Sequence, residues 1–101
     1  MNKKRIIYSI LKEIEKGENE PRFTDYDINL DEFGDLVKLI QNDELIKGAS
    51  VIQGGMGNHV QMVLLDSAKI TMKGLNYLEE NSLLSKTYIG LKEIKSWLSF
   101  T

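Results

Sequence analysis

His59 raises the question of catalysis first, because it is the single histidine of the chain. A catalytic imidazole needs a nucleophile or a metal to serve, and the sequence has no cysteine and no Gly-x-Ser-x-Gly motif. The lack of cysteine also excludes disulfides, thiolate zinc sites and iron–sulfur clusters. We therefore expect His59 to be an ordinary polar strand residue, and we expect no enzymatic activity.

A glycine-rich segment, Gly54-Gly55-Met56-Gly57-Asn58, precedes this histidine. A phosphate-binding loop would continue into Gly-Lys-Ser/Thr and then into a helix. Here the segment is followed by an extended, β-branched stretch instead. We expect a turn at this position and no nucleotide or other cofactor.

The acidic stretch Asp25-Tyr26-Asp27-Ile28-Asn29-Leu30-Asp31 matches positions one, three, five and seven of an EF-hand calcium loop. Position six of that loop requires glycine and is Leu30, and position twelve requires a bidentate glutamate and is Leu36. Acidic residues are also favourable near the N-terminus of a helix. The stretch therefore predicts helix capping rather than a metal site.

Hydrophobic periodicity indicates which elements must position these residues. Apolar residues at helical spacing predict a helix over 3–16 that ends at Gly17, a short turn capped by Thr24, and a helix over 30–42 capped by Asn29 and Glu32. The period then becomes extended, which predicts a β-hairpin from 45–53 and 59–66, with Val60, Met62 and Leu64 alternating against their neighbours. Two further helices are predicted, one capped by Thr71 and ending near Asn81, and one that starts at Ser82 or Ser85 and carries Tyr88, Leu91, Ile94, Trp97 and Leu98.

This order of elements is that of an α+β winged helix-turn-helix domain spanning residues 1–101. Three helices form the predicted core, the two-stranded hairpin is the wing, and two helices follow at the C-terminus. The helix over 30–42 occupies the position of a recognition helix.

The segment Ile70-Thr71-Met72-Lys73-Gly74-Leu75-Asn76-Tyr77-Leu78 is similar to the stretch that leads from the wing into the next helix in many bacterial winged-helix regulators. Further characteristic stretches are Ile10-Leu11-Lys12-Glu13-Ile14, Glu80-Asn81, Ser85-Lys86-Thr87-Tyr88 and Lys92-Glu93-Ile94-Lys95-Ser96-Trp97. With these stretches, the sequence resembles the YjcQ family of small bacterial and phage-associated proteins. The resemblance implies a winged-helix fold and a phage-related setting, and it implies no catalytic or binding residues.

Charge distribution bears on whether such a domain binds double-stranded DNA. The formal net charge is −2, and residues 17–44, which include the recognition-helix position, carry two basic against nine acidic residues. DNA binding depends on Lys and Arg that neutralise phosphates, and Gln or Asn can pair with adenine. The candidate DNA contacts are Lys3, Lys4, Arg5, Lys38, Gln41, Asn42, Lys47, Asn58 and His59. The alternative is that these lysines are ordinary surface residues and that the acidic helix face is simply solvated.

The predicted last helix is more apolar than a lone surface helix needs to be. Its candidate surface for a partner or for a homodimer consists of Tyr88, Leu91, Trp97 and Phe100. Packing of the same side chains on the first helix is the alternative.

No apolar stretch approaches the roughly 18 residues of a membrane span, and the run Ile6–Leu11 is interrupted by Lys12 and Glu13. We expect a cytoplasmic location and no membrane contact. Two functions remain open, a small DNA-binding regulator and a protein-interaction module on a winged-helix scaffold.

Overall fold

The first helix follows directly from its capping residues. A computed structural model describes residues 2–99, and in it α1 spans Lys3–Lys16. The Asn2 side chain accepts a hydrogen bond from the Arg5 amide, and Gly17 ends the helix in the left-handed conformation at φ 69°. The predicted helix and its stop are both confirmed.

The second helix, α2, spans Leu30–Asn42 and begins with a reciprocal capping box. The Asn29 side chain accepts from the Glu32 amide at 2.8 Å, and the Glu32 carboxylate accepts from the Asn29 amide at 3.1 Å. This confirms the predicted helix. The short turn before it is a 3-10 helix over Phe23–Tyr26, and its cap is the Asp25 carboxylate, which accepts from the Arg22 amide. The prediction that Thr24 caps this turn is therefore wrong.

Within residues 2–99, four strands form two separate antiparallel pairs. Strand β1 (Ile46–Lys47) pairs with β4 (Lys69–Ile70), and β2 (Ser50–Gly54) pairs with β3 (His59–Leu64). Gly48 separates the two pairs at φ 83°. The predicted hairpin is therefore present, but its first residues belong to a second ladder.

A β-bulge changes which side of the hairpin is buried. Ile52 pairs with Met62 while the next residue, Gln53, pairs with Val60, so that Gln61 is the extra residue. The bulge turns Val60 inward, where it is 7% exposed, and leaves Met62 outside at 50%. The simple alternation predicted for Val60, Met62 and Leu64 is therefore wrong.

The C-terminal region departs most from the prediction. Helix α3 spans Met72–Glu80 with Thr71 as its cap, as predicted. The prediction of a single last helix is wrong. The chain instead forms α4 (Ser82–Thr87), a 3-10 helix (Leu91–Glu93) and α5 (Ile94–Leu98). Gly90 lies between them at φ 105°, a conformation that no helix contains.

The core is one cluster of buried residues from α1, α2, α3, α5 and the strand region. It includes the apolar stripe of α1, the buried face of α2, and Ile94 and Trp97 of α5, each no more than 8% exposed. Among residues 2–99, no helix is both long and apolar enough to cross a membrane.

Candidate interaction surfaces

The hairpin is fixed to the first turns of α2. A Cβ atom on Gly34 would lie 2.7 Å from Val60 Cγ2, so only glycine lets β3 approach the helix this closely. The Asp31 carboxylate accepts from the Val60 amide at 2.6 Å, and its second oxygen lies 2.8 Å from His59 Nδ1. Two hydrogen bonds lower the pKa of Asp31 below its usual value, and the one from the Val60 amide has a larger effect than the one with His59. His59 thus holds the hairpin onto α2.

Two of the predicted DNA contacts on α2 also hold the hairpin. Lys38 donates to Gln53 Oε1 at 3.0 Å and lies 3.8 Å from the Asp35 carboxylate. The Gln41 amide makes two hydrogen bonds to the Ala49 backbone, at 2.8 and 2.9 Å. A side chain paired in this way cannot also read a base edge without breaking those bonds.

The remaining predicted DNA contacts lie on different elements. Lys3 and Lys4 are exposed on the first turn of α1, Asn42 at the end of α2, and Asn58 at the hairpin turn with φ 54°. Lys47 lies directly opposite Lys69 in the β1–β4 pair. These residues are thus distributed over α1, the end of α2, β1 and the hairpin turn.

Arg5 is part of the packing between α1 and the C-terminus. Its guanidinium lies 5.4 Å from the centre of the Trp97 ring and donates to the Trp97 carbonyl oxygen. Both contacts are favourable for an arginine beside an indole. The predicted phosphate contact at Arg5 would compete with these interactions.

The outer hairpin face, which consists of Ile52, Met62 and Leu64, is an exposed apolar surface. Ile52 and Met62 are cross-strand neighbours, and Leu64 follows on the same side. The exposed fractions are 46%, 50% and 38%. Sequence reasoning missed this surface because an unbulged hairpin would have placed Met62 and Leu64 on the same side as Val60.

A groove adjoins the outer hairpin face at Met62. It has a volume of about 400 Å³ and lies between β3, the start of α2 and the 3-10 helix. Its apolar lining residues are Pro21, Phe23, Leu30, Phe33, Met62 and Val63. Glu20 and Arg22 add one charge of each sign. We call this the hairpin groove.

The predicted partner surface at the C-terminus is largely internal. Trp97 is 2% exposed, and its indole N–H donates to Thr87 Oγ1 at 2.9 Å. Tyr88 and Leu91 are half-buried against the core, and Phe100 lies outside the described residues. Trp97 is therefore a core residue rather than part of a partner surface.

A buried chain of hydroxyl groups joins this region to α1. The Tyr88 hydroxyl donates to Glu13 Oε2 at 2.6 Å, and Ser9 Oγ lies 2.8 Å from Tyr88 and 2.9 Å from the Tyr26 hydroxyl. Because Tyr88 gives its proton to Glu13, Ser9 donates to Tyr88 and in turn accepts from Tyr26. Burial raises the pKa of Tyr26 well above its usual value, and burial together with the bond to Glu13 raises that of Tyr88.

Comparison with known proteins places the chain in one family. A family model described as "YjcQ protein" matches residues 8–97. The chain belongs to the YjcQ family. The Bacillus subtilis (strain 168) protein described as "Uncharacterized protein YjcQ" is 36% identical to it over 98 residues, 97% of this chain and 99% of that one. The solution NMR structure of the YjcQ protein from Bacillus subtilis is similar with a TM-score of 0.52 and 27% identity, and the match covers 76% of this chain and 92% of that chain.

The geometry explains one segment of the predicted YjcQ resemblance, Ile70-Thr71-x-x-Gly74. The Thr71 hydroxyl accepts from the Gly74 amide at 3.0 Å and donates to the Glu44 carbonyl. A Cβ on Gly74 would lie 2.2 Å from the Leu45 carbonyl oxygen. In this YjcQ-family chain, the segment therefore starts α3 and packs it against the turn that follows α2.

Proposed function

We propose that this YjcQ-family chain is a non-enzymatic protein-interaction module on a winged-helix scaffold. It binds an apolar peptide segment flanked by basic residues, which lies over the outer hairpin face and in the hairpin groove. The observation that carries this proposal is the continuity of the two surfaces at Met62, which is half exposed and lines the groove. Exposed apolar surfaces that adjoin a groove are typical of binding sites.

The winged-helix assignment rests on the order of elements. A helix, a short helical turn, a second helix and a hairpin follow one another along the chain. Helix α2 takes the position of the recognition helix, and β2 and β3 take that of the wing. In this chain the wing folds back onto α2 through Gly34 and Asp31.

The charge around the groove determines the kind of partner. Seven of the ten residues that line the groove belong to residues 17–44, a stretch that contains nine acidic and two basic residues. On the first two turns of α2, which carry the groove residues Leu30 and Phe33, Asp35 is exposed and Glu32 is partly so. Such a surface repels phosphates and attracts Lys and Arg side chains at the ends of a bound segment.

The absence of enzymatic activity is part of the same proposal. The His59–Asp31 pair lies at an exposed position, with His59 65% exposed. Neither residue lines the hairpin groove. Within residues 2–99, no group of three or more His, Cys, Asp or Glu side chains is arranged to hold a metal.

Selection from a random peptide library tests the proposal. The immobilised full-length protein is expected to enrich peptides that combine apolar residues with Lys or Arg. The enriched peptides are then measured against Met62→Glu and against a matched control, Met72→Glu. Met72 is 72% exposed on α3 and lines neither surface.

We expect binding to weaken at least about tenfold in Met62→Glu, since a charge replaces an apolar contact, and to stay unchanged in Met72→Glu. Enrichment of acidic peptides, absence of enrichment, or equal binding by Met62→Glu would each overturn the proposal.

A further inference from the structure

Strand β3 is hydrogen-bonded to another strand along one edge only. It pairs with β2, and among residues 2–99 these two strands form a sheet of their own. The segment 20–24, which also lines the hairpin groove, makes no backbone hydrogen bond to β3 in this part of the chain. The edge of β3 (residues 59–64) that faces away from β2 is therefore free of other strands. We call it the β3 edge.

The hairpin groove runs along the β3 edge. Its lining includes three consecutive residues of β3, Gln61, Met62 and Val63, and among the described residues none of β2. Met62 and Val63 lie on opposite faces of the hairpin, since Met62 is on the outer hairpin face and Val63 packs against the core. A groove can contact both faces of one strand only where it passes the edge of that strand.

The backbone groups of Val63 point toward this groove. The Val60 amide shows the direction, because it donates to Asp31 on α2 rather than to β2. Side chains and backbone groups alternate together along a strand, so residues that share a face direct their N–H and C=O groups to the same edge. Val60 and Val63 both face inward. Apart from pairing with β2, the Val63 backbone makes no hydrogen bond within residues 2–99.

We propose that the partner segment binds in an extended conformation and adds a third strand to the hairpin along the β3 edge. Strand addition rests on the proposed peptide-binding function, and it specifies the partner as an extended segment rather than a helix. The added strand is centred on Val63, because the Val60 amide is already bonded to Asp31. In this mode of recognition, backbone hydrogen bonds provide affinity and side-chain pockets provide specificity.

Strand addition accounts for both apolar surfaces at once. Successive side chains of an extended segment point to opposite faces. One set lies in the hairpin groove against Phe23, Leu30 and Phe33, and the other set extends the outer hairpin face beside Met62. A helix in the groove would present its apolar residues on one side only and would leave the β3 edge unpaired.

A scan of backbone methylation in the bound peptide tests this mode of binding. A peptide enriched from the random library is synthesised with one N-methyl group at each position in turn, which removes a donor and keeps the side chain. We expect binding to weaken at least about fivefold at every second central position and by less than about twofold at the positions between them. Uniform tolerance, or the uniform loss expected of a bound helix, would overturn strand addition and leave peptide binding in place.

Variants of Val63 separate the backbone donor from the side chain. Val63→Pro removes the N–H, and proline is tolerated on an edge strand where the N–H faces away from the ladder. It should weaken binding of the unmethylated peptide at least about fivefold. The matched control, Val63→Thr, keeps the amide and the branched shape and should change binding by less than about threefold. Equal binding by the two variants would overturn strand addition.

Hydrogen exchange provides a second measurement if Val63→Pro does not fold. In the free wild type, the Val63 amide should exchange faster than the Val60 amide, which is bonded to Asp31, and peptide binding should slow exchange at Val63. A Val63 amide that is already protected in the free protein, or one that the bound peptide leaves unprotected, would overturn strand addition alone. A library that yields no bound peptide would overturn strand addition together with the proposed function.

Discussion

At the scale of single residues, Gly74 is the position where the backbone leaves least room. An added Cβ would meet the Leu45 carbonyl oxygen at 2.2 Å and Ile70 Cγ1 at 2.6 Å. We expect Gly74→Ala to lower the free energy of unfolding by about 1–3 kcal/mol, because overpacking outweighs the better helix propensity of alanine. Urea denaturation measures this change.

Gly54→Ala is the matched control for that substitution. Among the described residues, no heavy atom beyond the two chain neighbours of Gly54 lies within 4 Å of the added Cβ, and Gly54 lacks a positive φ. Its substitution should change the free energy of unfolding by less than about 0.5 kcal/mol. If Gly74→Ala were as stable as Gly54→Ala, the close approach of α3 to Leu45 would be wrong.

Asp31 makes the attachment of the hairpin dependent on pH. Hydrogen bonds from Val60 and His59 lower its pKa in the folded protein. The stabilisation that the Asp31 carboxylate contributes is therefore fully present at pH values above 3.8, its pKa in the unfolded chain. This stabilisation is lost as the pH falls through the lower pKa of the folded protein. The difference in unfolding midpoint between the wild type and Asp31→Asn should narrow between about pH 6 and about pH 3.

Asp35→Asn serves as the control, since it removes an exposed carboxylate from the same helix. At about pH 6, the unfolding midpoint of Asp35→Asn should differ less from that of the wild type than the midpoint of Asp31→Asn does. A difference between the wild type and Asp31→Asn that is constant with pH would contradict the role of the Asp31 carboxylate.

Side-chain contacts between residues close in the sequence could be predicted, whereas contacts between distant residues could not. The caps formed by Asn29 with Glu32 and by Thr71 were predictable, because each joins residues three positions apart. The Asp31–His59 and Gln41–Ala49 contacts were not, since they join residues 28 and 8 positions apart. The DNA contacts predicted at Lys38 and Gln41 were reasonable for free side chains, and only the folded hairpin shows that both are paired.

At the scale of elements, the bounds of a helix can be predicted from hydrophobic periodicity and capping residues. Breaks within a helix or a strand cannot be predicted in this way. α1 and α2 have the predicted bounds because an apolar stripe and capping residues agree in both. The helical spacing from Tyr88 to Trp97 persists across Gly90, although the chain leaves the helix there. The bulge at Gln61 likewise gives no recognisable signal in the sequence, because one extra residue does not change the type of residues that make up the strand. The outer hairpin face depends on that bulge and so escaped prediction.

Tyr88 joins the interrupted C-terminal segment to α1. Tyr88→Phe removes the hydroxyl that donates to Glu13 and accepts from Ser9. We expect the free energy of unfolding to fall by about 1–3 kcal/mol, because a buried charged acceptor loses its donor. The matched control is Tyr77→Phe, which removes a half-buried hydroxyl that makes no hydrogen bond in the described part of the chain. Equal stability of the two variants in urea would argue against the hydroxyl chain as a link between these elements.

At the scale of the whole molecule, alkaline pH should unfold the protein through its buried tyrosines. Burial raises the pKa of Tyr26 and Tyr88 above the usual value of 10.0. The neutral phenols therefore stabilise the fold below that pH, and this stability is lost as the pH rises above it. Absorbance near 295 nm should show part of the tyrosine ionisation coinciding with the loss of near-ultraviolet circular dichroism. Complete ionisation near pH 10 with an intact dichroism spectrum would mean that these hydroxyls are accessible to solvent.

The charge distribution of the whole molecule bears on the choice between the two predicted functions, DNA binding and protein interaction. A winged helix that binds DNA places basic residues where phosphates lie, yet the described lysines are spread over several elements and α2 is acidic on its open face. We expect no binding of a labelled random-sequence duplex by fluorescence anisotropy, at about 50 mM or about 200 mM salt. Lys3→Glu should therefore change nothing in that assay. Micromolar binding that weakens steeply with salt and is lost in Lys3→Glu would instead assign the N-terminus of α1 to DNA, because counterion release is the signature of phosphate contacts.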